Sequence, residues 1–154
     1  MSATAHDTFV IERRYPQPRE RLYAALSDPD LKKLWYAVER TGVMKFEMDF
    51  RAGGAERVLL SLGEDSPFPG ALIENDGRFE DIVPDERIVL TSSSTFAGNR
   101  ISTALITYEL ADDGDGTKLT LTHQAAFYEG SDGPEMRRDG WQVLLDTLGR
   151  TLVS

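Results

Sequence analysis

The chain of 154 residues contains no cysteine and only two histidines, His6 and His123. Without cysteine it has no disulfide, no thiol nucleophile and no thiolate metal ligand. With two histidines, a transition-metal site would need carboxylates for most of its ligands. The sequence also lacks a Gly-x-Ser-x-Gly elbow, a phosphate-cradling glycine loop and a His-Glu-x-x-His helix. We therefore expect neither a bound metal nor a cofactor.

Positive charge and long apolar runs are scarce as well. The chain has 17 Lys and Arg against 26 Asp and Glu, a formal net charge of −9. Binding to nucleic acid or to anionic lipid depends on neutralising phosphate with cationic side chains, so we expect neither partner. No run approaches the roughly 18 apolar residues of a membrane span. The N-terminus lacks the basic and apolar segments of a secretory signal, and a cytoplasmic location is the resulting expectation.

The most informative segment is Asp49–Gly54 with the residues just before it. Apolar and charged side chains alternate there, the period of a strand with one dry face; the apolar set is Phe46, Met48 and Phe50. Gly53 and Gly54 then supply a hairpin turn. Five such turns separate strand-like runs between residues 43 and 127, which predicts an antiparallel meander of six strands rather than βαβ units.

Two short helices are predicted before this meander. A first strand over residues 8–15 ends at a proline, and Pro18 precedes the first helix. Asp28 and Pro29 supply an N-cap and a first-turn proline for the second, which carries Leu31, Leu34 and Trp35. Residues 1–6 are expected to be a flexible tail.

A long amphipathic helix is predicted at the C-terminus. Asp132 and Glu135 have capping-box spacing, and apolar residues follow at helical intervals: Met136, Trp141, Leu144, Leu145, Leu148 and Leu152. The predicted sheet is the only large surface that can cover this stripe. The sequence thus predicts one α+β domain over residues 1–154, with a curved antiparallel sheet of about seven strands around the long helix.

Several motifs are informative when taken together: Pro18 with its helix, Asp28-Pro29, Trp35, Asp49–Gly54, Gly77–Ile88, Gly116–His123 and Gly140-Trp141. In this combination the chain resembles the bacterial homologues of the C-terminal domain of the Hsp90 ATPase activator. The resemblance implies the helix-grip fold of the START/Bet v 1-like (SRPBCC) superfamily, in which a cavity between the long helix and the sheet holds apolar small molecules. It implies no shared chemistry, since members include lipid carriers, hormone receptors and aromatic-polyketide cyclases.

Within such a cavity, the strand after Pro84 carries small hydroxylated residues before Phe96. Ser92, Ser94 and Phe96 would share one face and orient a mostly apolar ligand. The alternative is a solvent-exposed edge strand of good β-propensity.

His123 and Tyr108 are expected to point inward from two neighbouring strands. An interior imidazole can act as acid, base or hydrogen-bond donor near neutral pH, although a structural histidine satisfied by a neighbouring group is the more common case. Glu47, taken as a buried carboxylate, is a second weak catalytic candidate.

Arg51 allows two interpretations, an ion pair with Asp49 or a bidentate receptor for a ligand carboxylate. The aromatic residues Trp35, Trp141 and Tyr128 either line the mouth of the cavity or belong to the core.

The sequence supports three hypotheses about function. The favoured one is a small-molecule-binding protein with an apolar or aromatic ligand and no cofactor, either monomeric or a homodimer. The second is a cavity enzyme of the cyclase, dehydratase or hydrolase type, in which His123 or Glu47 moves protons. The third is regulation of an Hsp90-type chaperone, which is disfavoured because the chain shows no partner-binding module beside the domain.

Overall fold

The structure, a computed structural model, describes residues 4–37 and 41–153. Its strands are β1 (Ala5–Tyr15), β2 (Thr41–Met48), β3 (Ala55–Leu62), β4 (Leu72–Val83), β5 (Arg87–Phe96), β6 (Asn99–Asp113) and β7 (Gly116–Phe127). Its helices are α1 (Arg19–Ser27), α2 (Pro29–Tyr36) and α3 (Gly133–Val153). The predicted α+β order of one strand, two short helices, six strands and one long helix is confirmed.

All seven strands form one antiparallel sheet in the order β1-β7-β6-β5-β4-β3-β2. The meander predicted between residues 43 and 127 is therefore confirmed, and β1 adds to its far end by pairing with β7. This pairing begins at Ala5 and His6, opposite Phe127 and Ala126. The prediction of a tail is wrong for Ala5 and His6, because β7 offers their backbone a hydrogen-bonding partner. Residues 1–3 lie outside the described part.

The sheet is curved, and α3 packs across its concave face. The strand register shifts between Phe79 and Asp81 in β4 and between Ser94 and Thr95 in β5. Such irregularities bend a strand and increase its local twist. The Tyr15 hydroxyl fixes the crossing of β1 and α3 by donating a 2.8 Å hydrogen bond to the Leu145 carbonyl.

The glycine pair between β2 and β3 is required for two different reasons. Gly53 has φ of +86°, a left-handed conformation that side chains disfavour. At Gly54, an added Cβ would lie 1.9 Å from the Asp49 carbonyl oxygen. The first glycine is thus needed for its backbone conformation and the second for close contact with the chain.

The end of α1 and the start of α2 are as predicted, but the apolar faces of α2 and of the first turn of α3 are not. Asp28 caps α2 by accepting a 2.9 Å hydrogen bond from the Asp30 amide. Leu31 and Leu34 on this helix are exposed, whereas Lys32 is buried. Met136 in the first turn of α3 is also exposed. No helix in the described ranges is long and apolar enough to cross a membrane.

Candidate functional site

A cavity of about 710 Å³ lies between the concave face of the sheet and the first half of α3. Its wall is mostly apolar and includes Val58, Leu60, Phe68, Ile73, Phe96, Ile101, Ala104, Ile106, Trp141 and Leu144. This volume is within the range usual for small-molecule sites.

Side-chain size along β5 and β6 explains why one half of the sheet is filled and the other is open. Every second residue of a strand faces the same side. Towards one end of β5 the inward residues are Ile88 and Leu90, which belong to the packed core. Towards the other end they are Ser92 and Ser94, and Ala104 faces Ser92 from β6. These three short side chains leave space that longer ones would occupy.

Five of the eight residues predicted to bind a ligand line this cavity. They are Ser92, Ser94, Phe96, His123 and Trp141. The Ser94 hydroxyl donates a 2.7 Å hydrogen bond to Asn75 Oδ1 on β4, which also lines the cavity. This end of the wall is therefore polar but uncharged.

The other three residues predicted to bind a ligand lie outside the cavity. Trp35 and Tyr108 are fully buried in the core, where the Trp35 indole donates a 2.9 Å hydrogen bond to the Ala25 carbonyl. Arg51 is exposed, and its Nε lies 2.8 Å from Asp49 Oδ2. The geometry thus matches the ion-pair interpretation of Arg51. Tyr128 donates a hydrogen bond to Thr103 and does not line the cavity either.

The prediction that Glu47 is a buried carboxylate is wrong. Its side chain is exposed, and Glu47 Oε1 lies 3.3 Å from Lys45 Nζ. The two residues are next neighbours on one face of β2, the solvent-facing side of the alternation. Glu47 is therefore remote from any interior chemistry.

His123 is held in the cavity wall by aromatic rings. It is 1% exposed and stacks on Phe9 at a centroid distance of 4.6 Å, with Phe127 and Trp141 next to it. Its Nδ1 is buried without a hydrogen-bond partner among the described residues. Burial and, secondarily, the positive charge of Arg137 lower the pKa of His123 to about 4. The imidazole is therefore neutral at pH 7.

An ion pair between Asp132 and Arg137 forms part of the same wall, and sequence analysis did not identify it. Arg137 Nε and Nη2 donate to the two Asp132 carboxylate oxygens, each at 2.8 Å, and Nη2 also donates to Ser102 Oγ at 3.0 Å. Burial alone would raise the pKa of Asp132, but the hydrogen bonds and charge of Arg137 outweigh it and lower that pKa. Asp132 therefore binds Arg137 through its side chain rather than completing the predicted capping box.

A second ion pair, also missed, lies behind the cavity wall. Lys32 Nζ is 2.6 Å from Glu56 Oε2, and both side chains are almost completely buried. The Lys32 ammonium is 4.7 Å from the centre of the Tyr36 ring, and Tyr36 in turn lines the cavity. The sequence signal for this pair is the position of Glu56, which lies two residues before inward-facing Val58 on β3 and therefore on the same face of the strand.

Fold and cavity together define an α+β protein of the helix-grip class. The family model described as "Activator of Hsp90 ATPase homolog 1-like protein" matches residues 16–153. The chain belongs to this family. Proteins of this fold family commonly bind ligands.

Three similar solved structures are of bacterial proteins. A putative uncharacterized protein from Rhizobium leguminosarum is 31% identical, with a TM-score of 0.91 over 99% of this chain and 97% of that one. A protein from Rhizobium loti is 36% identical, with a TM-score of 0.85 over 97% and 99% of the two chains. A protein from Chromobacterium violaceum is 28% identical, with a TM-score of 0.79 over 94% and 96%. No curated protein matches the sequence.

Proposed function

We propose that this protein binds an apolar or aromatic small molecule in the cavity between α3 and the sheet. The observation that carries the proposal is the space of about 710 Å³ with a mostly apolar wall. Apolar ligands gain free energy when they leave water for such a site, and a few polar groups in the wall then fix their orientation. Trp141 and Phe96 supply aromatic surface for this contact.

Binding is favoured over catalysis by the state of His123. A general base works best when its pKa is close to the working pH. A histidine whose pKa is about 4 is a weak base at pH 7. The second catalytic candidate, Glu47, is exposed on the sheet away from the cavity. Recognition of a bound molecule is therefore the role that the cavity supports best.

Fluorescence titration with N-phenylnaphthylamine, an uncharged dye that brightens when it leaves water, tests the proposal. We expect saturable binding and a higher Tm with dye, because a ligand that binds only the folded state stabilises it. Ala104→Phe should abolish most of this binding, because its ring fills the cavity. Leu105→Phe is the matched control, since Leu105 is the next residue on β6 and is partly exposed on the other face.

Equal dye binding by the Ala104→Phe variant would place the dye elsewhere and contradict the proposal. Native mass spectrometry of protein purified from its host provides an independent measurement, in which we expect an additional mass from a co-purified small molecule. Stimulation of an Hsp90 ATPase by the purified protein would instead favour the chaperone-regulator function.

A further inference from the structure

Asp132 and Arg137 are the two charged residues among the described residues that line the cavity. Their side chains are only 24% and 15% exposed. In such a partly desolvated site a guanidinium without a partner would bind a ligand carboxylate or sulfonate strongly, because little water competes for its hydrogen bonds.

The guanidinium of Arg137 is already occupied on several sides. The Asp132 carboxylate accepts hydrogen bonds from two of its N–H groups, in the bidentate geometry that a ligand carboxylate would adopt. Ser102 accepts a third hydrogen bond, and the Phe127 ring lies 5.2 Å from the guanidinium carbon. The Ser131 hydroxyl also holds the carboxylate of Asp132, donating to Oδ1 at 2.9 Å. Asp132 therefore occupies the Nε–Nη2 edge of Arg137, where an anion would bind in a bidentate manner, and its charge neutralises that of the guanidinium.

The remaining polar groups of the wall carry no compensating positive charge. His123 is neutral at pH 7 because its pKa is about 4. Lys32 lies behind Tyr36 and is paired with Glu56 at 2.6 Å. An anion entering the cavity would lose its hydration without gaining a free cation, and its binding would be penalised.

We propose that the cavity selects uncharged ligands and that Asp132 sets this selectivity by occupying Arg137. This inference rests on the proposed small-molecule function and adds the charge class of the ligand. It makes Asp132 a specificity-determining residue, and it predicts that removal of its charge turns Arg137 into an anion receptor.

Two dyes with the same aromatic skeleton test the proposal. N-phenylnaphthylamine is uncharged, and anilinonaphthalene sulfonate carries one negative charge on an added sulfonate group. In the wild type we expect the uncharged dye to bind more tightly. In Asp132→Asn, which keeps the side-chain size, we expect affinity for the sulfonate to rise about tenfold, the size of one gained charged hydrogen bond. The uncharged dye should change little.

Two further variants separate this mechanism from simple changes in charge or folding. Asp146→Asn also removes one negative charge, but from the ion pair of α3 with Arg13 outside the cavity. It should leave the affinities for both dyes unchanged. The double variant Asp132→Asn/Arg137→Gln should lose the gain in sulfonate binding, since the gain depends on Arg137. Anilinonaphthalene sulfonate also binds partly unfolded protein, so unchanged near-UV circular dichroism of Asp132→Asn is required to assign the gain to the folded cavity.

The possible outcomes distinguish this inference from the proposed function. If neither dye binds the wild type, the small-molecule function itself fails. If the uncharged dye binds but the sulfonate binds the wild type equally well or better, the charge selectivity is wrong. If Asp132→Asn leaves sulfonate affinity unchanged, or the double variant keeps the gain, Asp132 does not control it through Arg137.

Discussion

Lys32 and Glu56 form an ion pair in the interior of the protein, with the Lys32 ammonium above the rings of Tyr36, Tyr108 and Phe79. Removing two charges from water is unfavourable, and their attraction in the interior offsets this only when both are present. The aromatic faces add a further favourable interaction with the ammonium group. The stability of this site therefore depends on keeping the pair together.

Lys32→Met should lower the free energy of unfolding by about 3–5 kcal/mol, because Glu56 remains buried without its cation. Urea unfolding at pH 7 measures the change. Lys45→Met is the matched control: it breaks the exposed pair with Glu47 and should lose no more than about 1 kcal/mol. The double variant Lys32→Met/Glu56→Leu should recover most of the loss. A double variant as unstable as Lys32→Met would show that the unpaired charge is not the cause.

The elements of the fold were largely predictable from local patterns. Alternation predicted the strands, and Asp28 with Pro29 predicted the start of α2. The faces of the helices were less predictable. Leu31 and Leu34 are exposed although they are apolar, because α2 turns Trp35 and Lys32 towards the interior. A helix of eight residues has too few positions for periodicity to decide which side is buried.

The turn between β2 and β3 requires a glycine at position 54, whereas the helical position Gly140 accepts a side chain. Gly54→Ala should lower the free energy of unfolding by about 1–3 kcal/mol, because the new Cβ requires the backbone at Asp49 to move. Gly140→Ala is the control within α3, where an added Cβ has open space. It should raise stability by about 0.5–1 kcal/mol through helix propensity. Equal effects of the two changes in urea unfolding would contradict this account of the turn.

At the scale of the whole molecule, β1 pairs with β7, whereas β2 to β7 follow one another as neighbours. Pairing of β1 with β7 closes a loop that contains most of the chain. Closing this loop reduces the conformational entropy of the chain before any contact between the two strands forms. The hairpins of the meander close only short loops. We therefore infer that the meander is structured in the folding transition state before β1 is.

Ile11 on β1 and Ile106 on β6 test this order, since both are 4% exposed. Replacement by Val should lower stability by about 1 kcal/mol at either position. Ile106→Val should mainly slow folding, whereas Ile11→Val should mainly speed unfolding. Stopped-flow measurements in urea separate the two rates. Slower folding of the Ile11→Val variant, to the same extent as Ile106→Val, would contradict the proposed order.

Local periodicity and turn chemistry were enough to predict the α+β class, the order of the elements and the inward face of β7, but they left β5 with two interpretations, an inward face or an exposed edge. The position of the cavity and the pairing of its charged residues follow from how the helices pack on the sheet. Lys32 and Glu56 come together through packing of α2 on β3. Arg137 meets Ser102 because α3 crosses β6. Such contacts depend on long-range packing geometry, which the spacing of residues along a chain does not encode directly.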